Sequence, residues 1–404
     1  MLSKSNFPIE EAEQLLAPLC LDTALFSPTP TGLAKSILDA TEPVRRLLRR
    51  SGLHDFAAQA QGQSAKVALP AEIWGETPSE VRVTLYRPHT KSGDPRFWLS
   101  KLPDLVQPHD LLVICVVRRT LLFLNLSNDT VRRQLVAARS PLRQRLASEE
   151  LDRTVADQRV INELQAATQG RWLDSIREGS TGVGMTLEHA LGITPNSKRA
   201  PDLHGYEVKA KVGAPPGRAR VRATRQTLFA CVPDWQVSAL KSSREILERF
   251  GYHRAGVLRL YCEVSAKRPN SLGLKFVHDE STDAIHEHWV TDTHSESVAT
   301  WPADRLIGYL ESKHARTLWV YAQKQTESGA TRFRYTHAVV TGAPLARKLP
   351  RLIGQGAVTM DHLIKQQTNG STVEKGPLFK MPTEQLHLLF PARVTTALAL
   401  SGTS

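Results

Sequence analysis

Pro201-Asp202-Leu203-His204-Gly205-Tyr206-Glu207-Val208-Lys209-Ala210-Lys211 (PDLHGYEVKAK) is the stretch on which the fold and the function both turn. Side chains on a strand point to opposite faces in turn. Its second half therefore puts Tyr206, Val208 and Ala210 on one face and Glu207, Lys209 and Lys211 on the other. Pro201 cannot donate to a ladder and biases its neighbour towards extended backbone. Asp202 then sits at the mouth of the strand, close to Glu207 if Leu203 to Gly205 make a tight turn. Upstream, Thr186 to Gly192 reads as a short helix, with Thr186 as N-cap and Gly192 suited to the left-handed C′ position. Leu187, Ala190 and Leu191 would face the core and leave Glu188 on the flank.

Three carboxylates and a lysine in this order suit metal-dependent hydrolysis of a phosphodiester. A hard cation such as Mg2+ prefers carboxylate, water and phosphate oxygens. It neutralises phosphate charge and activates a water, while an adjacent ammonium stabilises developing negative charge. Asp202 and Glu207 are the candidate metal ligands, helped by the Val208 carbonyl. Lys209 would orient or deprotonate the attacking water. Glu188 would complete the metal site or hold Lys209. PD followed by ExK is nonetheless short, and an ordinary surface ion pair on a solvated strand reads the same way.

The wider context narrows this choice. Residues 180–211, STGVGMTLEHALGITPNSKRAPDLHGYEVKAK, present Gly182, Gly184, Glu188, Leu191-Gly192, Lys198, Pro201-Asp202 and Glu207-x-Lys209 in order. This run resembles the core of the MvaI/BcnI restriction endonucleases and their mismatch-repair relative MutH, in which a glycine-rich turn leads to a glutamate-bearing helix. The resemblance continues through Ser243-Arg244-Glu245, Gly251-Tyr252 and Pro269 to Leu274, and covers about residues 160 to 395. It implies an α/β (α+β) PD-(D/E)xK nuclease domain with a mixed central sheet. It further implies a Mg2+-dependent type II site-specific deoxyribonuclease, acting on double-stranded DNA as a monomer, with a DNA methyltransferase as functional partner. The products would carry a 5′-phosphate and a 3′-hydroxyl. One departure stands out: Lys375 occupies the place of a histidine that relatives hold near DNA, which bears on base choice.

Charge agrees with a DNA partner. The chain has 52 Lys+Arg against 40 Asp+Glu, a net +12, and such a chain is drawn to polyanions. Between residues 198 and 225 the excess concentrates. Lys198, Lys211, Arg218, Arg220 and Arg222, with Lys375 further on, are the candidate DNA contacts here, by phosphate or by guanine edges. A solvated basic loop is the alternative for any one of them.

The length accommodates two or three domains. We expect residues 1–145 to form one, 146–160 a linker and 161–404 the nuclease. No apolar run spans a bilayer, and the start, MLSKSNFPIEEAEQ, lacks a signal-peptide core. Cys20, Cys115, Cys231 and Cys262 show no metal or disulfide spacing, as befits a cytoplasmic protein with no cofactor beyond the metal. His189 and His204 read as neighbours of the site, not ligands.

After an opening helix the first part reads as mainly β. Val81, Val83 and Leu85 alternate with polar neighbours, and Leu111–Val117 with Leu121–Leu126 form a hairpin. Arg87, His89, Lys91 and Arg96 lie in a polar loop, and Arg45, Arg46, Arg49 and Arg50 cluster earlier. Each cluster reads equally as a duplex-gripping arm or as exposed charge. The short strands, basic arms and Gly93-Asp-Pro-Arg96 loop weakly resemble the DNA-binding pseudobarrel that EcoRII-type enzymes use as effector domain. That implies a type IIE enzyme binding one site copy in each domain, with a CCWGG-like target. Two other readings stay open: a MutH-like strand-nicking repair endonuclease, and a non-catalytic DNA-binding protein on a degenerate nuclease fold.

Overall fold

A computed structural model describes residues 5–19, 21–179, 181–193, 203–213 and 225–398. Two compact units divide the chain, Met1–Arg159 and Val160–Ser404.

In the first unit seven strands form one sheet. Their spatial order is Thr23–Phe26, Leu112–Val117, Thr120–Asn125, Val67–Trp74, Pro78–Tyr86, Arg96–Leu99 and Leu38–Asp39. Val67–Trp74 runs parallel to Thr120–Asn125 and every other neighbouring pair is antiparallel. The continuous apolar run at 111–117 has a simple cause. Leu112 and Ile114 join a core with Phe26, Val83, Leu85, Phe97 and Phe123. Val113, Cys115 and Val117 join a second core with Leu122, Leu124, Leu142 and Leu146. Both faces of these strands are buried, so neither shows polar alternation. Val81, Val83 and Leu85 are inward and Arg82 is exposed, as the alternation predicts.

The hairpin closes through Arg118 and Arg119 alone, at φ 48° and 64°. Two positive φ values in a two-residue loop define the turn normally filled by Asn-Gly. For arginine that backbone costs about 1 kcal/mol per residue. The charged stretch after Ser140 is one helix, Pro141–Thr168. No helix among the described residues is long and apolar enough to cross a membrane.

The second unit is built on a mixed sheet, ordered Ala392–Ala397, Ala330–Thr341, Thr317–Glu327 and Glu207–Val212, with Leu173–Asp174 beside Ala330–Thr341. Glu207–Val212 is parallel to Thr317–Glu327 and the rest are antiparallel. A six-stranded antiparallel sheet and a three-stranded meander surround a second core, where Phe229 and Phe276 stack on Phe379 and Trp301 meets Phe379 edge-on. Glu287 of the meander and His362 of the six-stranded sheet are both fully buried and bonded at 2.9 Å. Burial alone would push the imidazole pKa down, but Glu287 reverses this and holds it above the usual range.

The helix carrying Glu188 departs from expectation. It spans Gly182–Ala190, so Thr186 lies inside it, buried, with its hydroxyl accepting from the Ile176 amide at 3.2 Å. Thr186 is therefore not the N-cap, and the glycines of the supposed turn are helical. Gly182 is needed because a Cβ there would lie 2.4 Å from the Arg177 carbonyl oxygen and 2.7 Å from Ser175 Oγ. At the other end the expectation holds. Gly192 has φ +68°, its amide donates to His189 and that of Ile193 to Glu188, the paired bonds of a left-handed C-terminal cap.

Gly182→Ala should destabilise the second unit by about 1–3 kcal/mol through overpacking against that carbonyl. Thermal denaturation checks this; an unchanged Tm would mean the close approach relaxes freely.

Candidate active site

The Glu207 strand starts from a turn that its sequence dictates. His204 and Gly205 have φ of 47° and 87°, and Leu203 and Tyr206 exchange backbone bonds of 3.0 and 2.7 Å. This is the tight turn anticipated before Glu207. The His204 ring bonds Glu163 at 2.9 Å, which anchors the turn to the helix Pro141–Thr168. Tyr206 and Val208 then enter a core with Val160, Leu164, Val183, Leu187 and Tyr335. Glu207 and Lys209 take the other face.

There the carboxylate is 3 % exposed, and it is balanced by two ammonium groups. Lys209 Nζ lies 2.5 Å and Lys313 Nζ 2.8 Å from Glu207 Oε1. Burial alone would raise the Glu207 pKa; Lys209 and then Lys313 outweigh it and hold the carboxyl below its usual range. Glu207 is therefore charged at neutral pH.

Lys313 is the residue that sequence reading missed. It ends the helix Ala303–Lys313, just before the strand Thr317–Glu327, whose Thr317 sits beside Glu207 in parallel register. The Glu207 amide donates to the Arg316 carbonyl at 2.9 Å. Between helix and strand stands His314, fully buried. Its Nε2 donates to the Leu228 carbonyl at 2.7 Å, which leaves Nδ1 to accept from the Thr317 hydroxyl at 3.0 Å. The ring stacks on Trp319 with centroids 5.8 Å apart. Burial chiefly, with Lys209 and Lys313 adding, pushes its pKa down to about 4 against the Leu228 carbonyl and Glu207. A neutral, doubly bonded imidazole thus fixes the corner from which Lys313 reaches Glu207.

The other expected residues fall as follows. Glu188 is half-buried on a helix whose Val183 and Leu187 pack on the Tyr206 and Val208 face, opposite to Glu207 and Lys209. Its charge helps burial raise the pKa of the Tyr335 hydroxyl, which donates to the Val183 carbonyl at 2.7 Å. Lys211 is half-buried on the Glu207 strand; burial lowers its pKa to about 8, with Glu384 opposing. Lys375 is exposed in the loop between Thr372–Glu374 and Leu378–Pro382. Asp202, Lys198, Arg218, Arg220 and Arg222 lie outside the described residues. In the first unit, Arg87 donates to the carbonyls of Gly93 (2.8 Å) and Gln59 (3.1 Å), so its guanidinium braces the loop. His89 and Lys91 are exposed on that loop, and Arg96 lies 3.7 Å from Asp39. Arg46 is buried and Arg45 pairs with Glu42 at 2.9 Å, so half of the early arginine cluster faces its own unit.

Comparison with known proteins gives one family. The model of the MvaI/BcnI restriction endonuclease family matches residues 161–390. The solved complex of restriction endonuclease MvaI with its cognate DNA substrate is 20 % identical, covers 60 % of this chain and 98 % of its own, and superposes with a TM-score of 0.50. MvaI in the absence of DNA is 18 % identical, covers 58 % and 94 %, and gives 0.35. No curated protein matches the chain. At such identity the MvaI complex speaks for the fold alone.

His314 supplies a test by pH. Its folded pKa, about 4, lies below the usual imidazole value of 6.5, so the unfolded chain binds the extra proton first. Stability from this group is present above pH 6.5 and drains away as pH falls towards 4, by about 3 kcal/mol in all. His314→Gln should flatten the Tm–pH curve in that window; an unaltered curve would show that the ring titrates normally.

Proposed function

Since this chain belongs to the MvaI/BcnI restriction endonuclease family, a family of site-specific DNA endonucleases, we propose that Glu207 and Lys209 carry its phosphodiester hydrolysis. The observation that carries this reading is the buried, charged Glu207 carboxylate with Lys209 at 2.5 Å on one strand. Its oxygens are hard donors balanced by two ammonium groups, a donor chemistry that suits Mg2+. Among the described residues no three His, Cys, Asp or Glu side chains converge as a metal site, so the proposed ligand set needs Asp202 beside Glu207. A bound divalent cation supplies charge neutralisation on the phosphate and an activated water.

The chain's own groups do the rest. Lys209 and Lys313 keep Glu207 ionised, so its oxygens are available without a proton to lose. The Lys209 ammonium lies where it can orient the attacking water and stabilise charge growing on the phosphate oxygens. His314 holds the end of the Lys313 helix in register with the strand. Glu188, half-buried on the helix that supports Tyr206 and Val208, is assigned to completing the metal site or holding Lys209. The products are a 5′-phosphate and a 3′-hydroxyl. Lys198, Lys211, Arg218, Arg220, Arg222 and Lys375 are assigned to the duplex around this site.

We assign residues 1–145 to an effector domain of the pseudobarrel kind, 146–160 to a helical connection and 161–404 to the nuclease. One parallel pair within an otherwise antiparallel seven-stranded sheet supports the first assignment. His89, Lys91 and Arg96 contact DNA there, while Arg87 shapes the loop. The enzyme is then type IIE: a cytoplasmic monomer that binds a second copy of a CCWGG-like site in its first unit and works beside a DNA methyltransferase.

Lys209→Ala should cut the single-turnover cleavage rate of an unmethylated duplex with Mg2+ by roughly 10²-fold or more, with DNA affinity kept. Cleavage at the wild-type rate would overturn the assignment. A short duplex carrying the same site, added in trans, should change the cleavage rate of a single-site plasmid; no change at saturating duplex would remove the effector role.

A further inference from the structure

We propose that the Arg118–Arg119 hairpin tip joins the 87–96 loop in one phosphate-gripping face of the first unit, where it takes the backbone of a DNA duplex. The proposal rests on the reading of this unit as a DNA-binding domain.

Strand register brings the two features to one end of the sheet. Ala71 pairs with Leu121 in parallel, which sets Thr120 level with Pro70, and Pro70 pairs with Arg82. From Arg82 the strand runs on to Tyr86 and into the loop, in the direction in which the hairpin tip projects. Only the strand Val67–Trp74 lies between them, so tip and loop are two strand spacings apart, about 10 Å. Arg82, Arg118 and Arg119 are all exposed, and among the described residues their guanidinium groups meet no carboxylate or carbonyl partner. Elsewhere in the unit Arg45, Arg87, Arg132, Arg145 and Arg153 are each bonded to their own chain.

The turn itself gives the second observation. A two-residue loop with both φ positive is best filled by Asn-Gly, yet two long cations stand there. Packing does not ask for them, since both side chains are in solvent. The neighbouring loop is braced by Arg87 and closed by Gly93, which holds His89 and Lys91 outward, and its one acid, Asp94, bonds Ser92 Oγ at 2.6 Å. Exposed cations on this two-part edge can pair with backbone phosphates, and contacts of this kind position a duplex without reading its bases.

The test uses the full-length protein without Mg2+, titrated calorimetrically with a duplex carrying the site. R118N/R119G relaxes the turn, so Tm should rise while the second binding event weakens at least 10-fold. The slope of log Kd against log salt for that event should fall by about 2. R118K/R119K, which keeps the charges, should keep most of the affinity. An unchanged second event in R118N/R119G, alongside a loss in H89A/K91A, overturns the proposal and leaves the DNA-binding reading standing. A wild-type chain that takes only one duplex, indifferent to both double changes, overturns that reading itself.

Discussion

A carboxylate that is almost wholly buried yet still charged is the constraint around which the second unit is arranged. Glu207 keeps its charge because Lys209 and Lys313 meet at the same oxygen. A buried charge without partners would be expensive enough to neutralise itself. Much of the surrounding architecture serves to deliver those two cations. Lys209 comes with the strand, two residues on. Lys313 arrives from the far end of the sequence, because its helix feeds the parallel neighbour strand and His314 fixes the corner. The parallel pairing of Glu207–Val212 with Thr317–Glu327 is therefore as much a part of the site as the residues that touch.

How much of this the sequence shows depends on range. The alternation of Tyr206, Val208 and Ala210 against Glu207 and Lys209 is a property of any strand, and the tight turn at His204-Gly205 is written in residues that tolerate left-handed backbone. Both were legible. Lys313 was not, for it is distant in the chain and its motif-free helix end carries no local sign of a carboxylate partner. The Glu188 helix begins earlier than its sequence suggests, because glycines signal a turn. Here the first helical residue is a glycine for a steric reason that only packing reveals: the Arg177 carbonyl leaves no room for a Cβ.

The first unit teaches the same lesson with arginine. In sequence, Arg87, Arg45 and Arg46 look like Arg118 and Arg119. In the fold the first three are consumed by carbonyls, by Glu42 and by burial, while the last two stand exposed on a strained turn and meet no acid or carbonyl among the described residues. A basic residue's role follows from what the backbone puts within its reach, and composition alone does not contain that. Family membership speaks for DNA at the second unit, and the charge of +12 suits a polyanion, but the geometry decides which cations are on offer.

The most direct measurement of the central claim is the affinity of the protein–duplex complex for Ca2+, by isothermal titration, in wild type and Glu207→Gln. The account predicts a bound cation in the wild type and its loss in the variant, with the duplex still held. Equal affinity in the two proteins would mean that the buried carboxylate is a structural counter-ion to its lysines and that hydrolysis, if it occurs, is centred elsewhere.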